Sequence, residues 1–153
     1  MINEKAGSDV EYLFIGEGTL KSSLSAYIDK HGLCKQVRLL GQIPNIDVRK
    51  IFERSKILAL PSSREAFGIV LLEAMNAFTP CVVTNIGGMP ELVDSSVGTI
   101  LKSDAPESIA TAVAELINDE RTWERKARLA YQRSLQYDMH KIGVRLISAL
   151  EID

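Results

Sequence analysis

The chain has 153 residues, 46% hydrophobic and 25% charged, which suits one globular domain with a real core and leaves too little for two. Its net charge of −2, spread without long blocks of either sign, gives no footing for nucleic acid or an anionic membrane as partner. No apolar run approaches the ~18 residues of a membrane span, and the first residues lack the apolar stretch of a signal peptide. Cys34 and Cys81 form neither a CxxC pair nor a metal-ligand spacing. A reduced, cytoplasmic protein is therefore expected, with a disulfide between them as the alternative.

Short apolar runs alternate with amphipathic helical patterns. Residues 12–16 read as a buried strand ending in a glycine turn, and Leu20, Leu24, Tyr27 and Ile28 then recur at helical spacing up to His31-Gly32. Val37–Gly41 is a second strand, and residues 48–55 form a short helix containing Ile51 and Phe52. Residues 57–60 are a third strand, whose unbroken apolar character predicts burial on both sheet faces. Residues 68–78 read as a helix with Leu71, Leu72 and Met75 facing inward, and residues 80–84 as a fourth strand. A glycine loop at 86–90 and a weak fifth strand at 98–101 follow. Asp104 is expected to cap the next helix, with Glu107 completing a capping-box arrangement, and Ile109, Ala112, Val113, Leu116 and Ile117 form its apolar face. Two more helices are expected at 121–135 and 139–150. Strands alternating with helices predict an α/β, Rossmann-like parallel sheet with helices on both faces, in a single domain over residues 1–153.

Ligands of open α/β sheets bind outside the carboxyl ends of the strands, and residues 60–75 concentrate special residues there. The segment runs strand, turn, helix N-terminus. Free backbone N–H groups at 67–70, aided by the helix dipole, make an anion site suited to phosphate, and Gly68 permits close backbone approach. Glu65 lies in the turn and Glu73 more than one helical turn further in, so the two carboxylates stand at different heights of one pocket. Each can accept hydrogen bonds from two vicinal hydroxyls. Flanking a phosphate site, they suit a sugar on each side of a diphosphate, which is a nucleotide sugar. Without that context, paired glutamates at this spacing are more often plain surface residues. Gly87-Gly88 reads as a tight turn, and its place after a parallel strand favours ligand contact.

Pro61-Ser62, Glu65-Ala66-Phe67-Gly68, Glu73-Ala74-Met75 and Gly87-Gly88-Met89-Pro90-Glu91, in this order, resemble the Glu-x7-Glu region of retaining GT-B glycosyltransferases, most like glycosyltransferase family 4. Ile15-Gly16-Glu17-Gly18 looks like that family's Gly-x-Gly turn, and Leu40-Gly41-Gln42-Ile43-Pro44 like its base-binding loop. The likeness covers about residues 9–150. It implies the C-terminal nucleotide-sugar-binding half of a GT-B fold, whose parent enzyme moves a sugar from a UDP- or GDP-sugar to an acceptor with retention of configuration. By family habit the product is a surface polysaccharide or glycolipid. It implies a catalytic role for Glu65, holding hydroxyls of the transferred sugar at the reaction centre. The backbone at Phe67, Gly68 and Ile69 would meet the sugar and phosphates, and Val70 would lie against the diphosphate or ribose. Glu73 would accept from the ribose hydroxyls, Gln42 and Ile43 would flank the base, and Gly16, Gly87 and Gly88 complete the binding set. No metal or other cofactor is implied; positive side chains and backbone dipoles stabilise the leaving diphosphate.

The chain departs from the family pattern in three places. The acceptor-binding N-terminal domain has no counterpart, so the chain alone is expected to be inactive. The opening strand–helix unit, with the Arg and Lys that grip the diphosphate, also has none. Its strand lies mid-sheet beside Tyr12–Ile15, so either neighbouring strands close the gap or another chain or segment fills it. Phe78-Thr79 stand where a glycine precedes the Pro-Val-Val strand. Glu91 reads as a favourable charge at a short helix start, with a ligand role second. His31 and His140 read as surface or helix-end residues, Lys56 and Arg64 as solvated with Arg64 beside the site, and Trp123 as a packing anchor. The rival functions are a GT-B-like sugar-nucleotide 2-epimerase and a non-catalytic nucleotide-binding fragment. The expected location is cytoplasmic, or peripheral to a membrane in a full-length parent.

Overall fold

The computed structural model describes residues 10–138 together with Lys5 and Ser148. The elements run β1 (Tyr12–Ile15), α1 (Lys21–Lys30), β2 (Val37–Gly41), α2 (Asn45–Phe52), β3 (Leu58–Leu60), α3 (Ile69–Asn76), β4 (Cys81–Val83), α4 (Met89–Leu92), β5 (Gly98–Ile100), α5 (Pro106–Asn118) and α6 (Glu120–Ser134), closed by a 3-10 turn at Leu135–Tyr137. His140 and, but for Ser148, the helix expected at 139–150 lie outside the described residues. No helix among the described residues is long and apolar enough to cross a membrane.

The three residues of β4 are fully buried, and their side chains alternate between two cores. Cys81 and Val83 face Leu71 and Met75 of α3, Met89 and Leu92 of α4, and Ala130 of α6. Val82 faces Leu101 and, on α5, Val113 and Leu116. Helices therefore cover both faces of a parallel sheet, and each large side chain taken fully out of water contributes about 1.5–3 kcal/mol. Both cysteines are free; burial pushes the Cys81 thiol up to about 12, and Cys34 is exposed.

The burial expected for β3 is not found: Ala59 is exposed, and Leu58 and Leu60 are half-buried. The reason is its place in the sheet. The strand orders are β1-β2 and β3-β4-β5, and no ladder joins the two sheets among the described residues. Neighbouring strands thus do not close the gap, and β1 and β3 each keep one edge unpaired by another described strand. Phe14 and Ile15 of β1 remain 49% and 39% exposed.

Two helix starts differ from expectation. Helix α2 begins at Asn45 instead of 48, because Pro44 is extended (φ −60°, ψ 144°) and its carbonyl already accepts from Val48 N. It ends at Phe52, whose carbonyl is taken by the Thr79 hydroxyl at 2.8 Å. Asp104 does not cap α5. The residue before a proline is driven extended, so Ala105 (ψ 139°) takes the cap position, Pro106 opens the helix, and no side chain caps it. The capping carboxylate is Asp119 at α6, which accepts from Thr122 N at 2.9 Å.

Helix α6 braces the body. The buried Lys126 ammonium donates to the carbonyls of Ser95 (2.8 Å) and Gly98. Arg133 meets Asp94 at 2.8 Å. Trp123 donates from Nε1 to Lys56 O at 2.6 Å while the Lys56 ammonium sits 4.0 Å over its ring, so it is a packing anchor as expected. Lys56 is exposed yet engaged, pairing also with Glu120 at 2.8 Å. His31 ends α1, its ring 4.1 Å from that of Tyr27.

The turn at Phe78 explains the missing glycine. Thr79 N bonds Ala74 O (3.0 Å) and Phe78 N bonds Met75 O (3.1 Å), a Schellman closure of α3 that places residue 78 in the left-handed region (φ 61°). Glycine is favoured there. Phenylalanine is held instead by stacking on Tyr131 of α6, ring centroids 4.2 Å apart and 14° from parallel. Left-handed strain of about 1–2 kcal/mol and an aromatic pair worth about 0.5–1.5 kcal/mol nearly offset. Chemical denaturation should therefore place Phe78→Gly within about 1 kcal/mol of the parent, and Phe78→Ala, which keeps the strain and loses the ring, about 1–2 kcal/mol below it. Equal losses for both would show that the backbone is unstrained.

The Ser96 hydroxyl and Arg133 hold the Asp94 carboxyl down at about 2, against burial that pushes it up from its ordinary 3.8. The folded value is depressed, so this stabilisation is complete above pH 3.8 and is lost as pH falls through about 2. Acid titration of stability should show a shallower fall across that window in Asp94→Asn than in the parent; an identical profile would remove Asp94 from the account.

Candidate functional site

The site forms where the loops after β3 and β4 lie against each other. Gly88 N donates to Ala66 O at 2.9 Å. A Cβ on residue 87 would stand 1.8 Å from the Glu65 carbonyl oxygen, and one on residue 88 would stand 2.9 Å from Ala66 O. Both glycines are thus dictated by backbone-on-backbone contact, and Gly87 also has φ +57°. Pinned in this way, the chain turns at Gly68 in the left-handed conformation (φ 83°, ψ 55°) and launches α3 at Ile69. A side chain at 68 would press on Leu71, its Cβ 2.9 Å from Cδ1.

The Glu65 carboxylate lies over the helix start. Its Oε1 accepts from Gly68 N at 3.1 Å and Phe67 N at 3.3 Å. The Phe67 ring is 37% exposed and 6.1 Å from that of Tyr137, whose hydroxyl donates to Glu91 O at 3.3 Å. Ile69 is 66% exposed at the first position of α3, while Val70 packs partly into the core. Glu73 is exposed one turn on and lines a cleft of about 370 Å³ shared with Asn45, Arg49, Asn76, Tyr137 and Asp138.

Gly16 and Gln42 are brought together on the other sheet. The β1–β2 register slips between Phe14 and Ile15, so Leu40 bulges out and Gly16 N reaches Gly41 O at 2.8 Å. Gln42 N–H bonds the Glu17 carboxylate, which the Lys21 ammonium at 2.7 Å holds below the usual carboxylate range. Ile43 is half-buried beside them and leads through Pro44 into α2, whose Asn45 lines the Glu73 cleft.

The structure therefore joins Glu65, Phe67, Gly68, Gly87 and Gly88 directly, sets Ile69, Val70 and Glu73 along α3, and places Gly16, Gln42 and Ile43 at the end of the β1–β2 pair. Glu91 sits in the first turn of the four-residue α4. Sequence reasoning missed the cleft partners Asn45, Arg49, Asn76, Tyr137 and Asp138. Tyr137 carried no local signal, since only the folding back of α6 brings it to Phe67. No group of three or more metal-ligating side chains gathers among the described residues.

Alanine at 87 must displace the 65–66 backbone, and overpacking of this kind costs about 1–3 kcal/mol. Gly18 has nothing within 4 Å of its Cβ position, so Gly18→Ala should stay within about 0.5 kcal/mol of the parent. Thermal melts of the two variants separate the cases; a neutral Gly87→Ala would mean the loop contact is not a fixed feature.

The profile of the family described as Glycosyl transferases group 1 matches residues 1–134. Glycogen synthase of Mycobacterium tuberculosis is 34% identical over 119 residues, 77% of this chain and 29% of that protein. The GPI3 subunit of phosphatidylinositol N-acetylglucosaminyltransferase from Saccharomyces cerevisiae is 31% identical over 110 residues, 72% of this chain and 24% of its own length. The chain thus spans under a third of the length of these relatives. Anabaena Alr3699/HepE, solved with UDP-glucose, superposes with a TM-score of 0.83 at 24% identity, covering 97% of this chain and 43% of that one. S. aureus TarM superposes with a TM-score of 0.82 at 20% identity, covering 98% and 30%. By profile and by fold, this chain belongs to the glycosyl transferases group 1 family, and its α/β architecture is that of the nucleotide-binding C-terminal half of a GT-B enzyme.

Proposed function

We propose that the chain is the sugar-nucleotide-binding domain of a retaining glycosyltransferase, holding a UDP- or GDP-sugar while a separate domain presents the acceptor. The observation that carries this reading is the order along one short path: the Glu65 carboxylate, the N–H groups of Phe67 and Gly68, the start of α3, and then Glu73 facing a cleft. A diphosphate meets backbone N–H groups and the positive end of a helix dipole, and each flanking carboxylate accepts from the hydroxyls of one sugar.

In this arrangement Glu65 orients the transferred sugar and Glu73 the ribose, while Phe67, Gly68, Ile69 and Val70 line the path between them. Gln42 and Ile43 border the base, Gly16 leaves room beside it, and Gly87 and Gly88 shape the opposite wall. Departure of the sugar leaves negative charge on the diphosphate, and prearranged dipoles aimed there lower the barrier without reorganising. Arg64 is exposed next to Glu65, and no hydrogen bond or ion pair engages it among the described residues, so its guanidinium is available to that charge. Alr3699/HepE, with the same fold, was solved with UDP-glucose, which fits the assignment. Assembly of a surface polysaccharide or glycolipid by a cytoplasmic or membrane-peripheral parent is the setting the family suggests.

Calorimetric titration with UDP, GDP and their sugars tests the reading. One nucleotide series should bind, and Glu73→Ala should weaken it by about tenfold, the worth of hydrogen bonds to a charged acceptor. Binding that ignores Glu73 would place the nucleotide elsewhere, and free epimerised sugar formed without acceptor would replace transfer by epimerisation.

A further inference from the structure

We propose that Glu65 is a displaceable cap on the phosphate-binding amides, and that it makes the site prefer a nucleotide still carrying its sugar over the nucleoside diphosphate left after transfer. The inference rests on the donor-site reading above.

Glu65 accepts from both Phe67 N and Gly68 N, at 3.3 and 3.1 Å, the N–H groups a phosphate oxygen would need. The backbone bearing those groups cannot yield. Gly87 abuts the Glu65 carbonyl, Gly88 N is bonded to Ala66 O, and Gly68 turns in the left-handed conformation with Leu71 packed behind it. The Glu65 side chain can yield, because it is half-buried and no ion pair holds it among the described residues. Two anionic acceptors cannot share one pair of N–H groups, so phosphate binding must turn the carboxylate away from two hydrogen bonds.

What the carboxylate gains in return depends on the ligand. The sugar of a nucleotide sugar offers hydroxyls that donate to it and replace both bonds. A nucleoside diphosphate offers nothing at that position, so the displacement goes uncompensated and its apparent affinity falls by the fraction of sites whose cap is turned away. The cap thus favours substrate over leaving group at one position and speeds the departure of the latter.

The test is calorimetric titration of the parent, Glu65→Ala and Glu65→Gln with UDP, GDP and their glucose esters. Roughly 0.5 M salt screens charges beyond a few Å. Glu65→Ala should bind the nucleoside diphosphate about threefold to tenfold more tightly than the parent, with no such gain for the sugar ester. Glu65→Gln should gain less, because its amide oxygen still accepts from the same N–H groups. Equal gains in the two variants would reduce the effect to lost charge and overturn the cap; so would unchanged or weaker binding in Glu65→Ala. Should the diphosphate bind and weaken in Glu73→Ala without tightening in Glu65→Ala, the cap falls and the donor site stands. Absence of binding in every variant removes both.

Discussion

A Cβ on residue 87 would lie 1.8 Å from the carbonyl oxygen of Glu65, and the geometry of the site follows from that backbone contact. β4 is wholly buried, so the position of the loop leaving it is settled by the core. That loop presses two glycines against residues 65–67, which fixes where the chain turns into α3. Eight residues make a helix too short to persist alone, and α3 is held by Leu71, Ala74 and Met75, all fully buried. Their burial in turn sets the rotation of the helix, leaving Ile69 and Glu73 outward. The direction of Glu73 is thus a consequence of how the opposite face of α3 packs into the core with β4.

The site was legible where one residue type has one physical use. Gly87 and Gly88 stand where a side chain would run into the backbone of residues 65–66, Gly68 turns in the left-handed region, and β4 read correctly because a β-branched run before a glycine loop has few other solutions. Reading failed where two local signals competed. Asp104 and Glu107 have capping-box spacing, yet Pro106 settles the helix start through the backbone of Ala105 and leaves the carboxylate unused. β3 looked like a central strand because its composition is apolar; composition cannot say that one of its edges lacks a ladder. Tyr137 and Asn45 were invisible for a third reason. They meet Phe67 and the Glu73 cleft only through tertiary folding, which no local pattern announces.

Phe78 belongs with these cases. At the end of α3 the Schellman closure demands a left-handed residue, and the sequence offers the bulkiest of apolar choices instead of glycine. Stacking on Tyr131 converts the misfit into a link between α3 and α6. The same helix α6 anchors the loop before β5 through Lys126 and Arg133, and the approach to β3 at Lys56 through Trp123. One long helix therefore ties together the end of α3 and the strands on either side of β4.

No comparable brace reaches the β1–β2 pair among the described residues. Its ladder does not continue into β3, Ile28 is the sole buried residue of α1, and the Glu17–Lys21 bridge beside Gln42 is a half-exposed pair worth little in water. In the proposed donor site this divides the labour. The sugar and phosphates rest on the part of the molecule with the most buried contacts, where the reacting groups must be held to within a fraction of an ångström. The base rests against Gln42 and Ile43, on the part with the fewest, which is where local opening should cost least. Recognition of a base needs only selection among a few hydrogen-bonding patterns, so it tolerates that looser support, whereas displacement at the sugar carbon does not. The break between the β1–β2 pair and the β3–β4–β5 sheet, which no ladder bridges among the described residues, marks the boundary between the two regimes. A strand seated between them would couple the base to the reacting centre through a continuous sheet, which the described residues alone do not form.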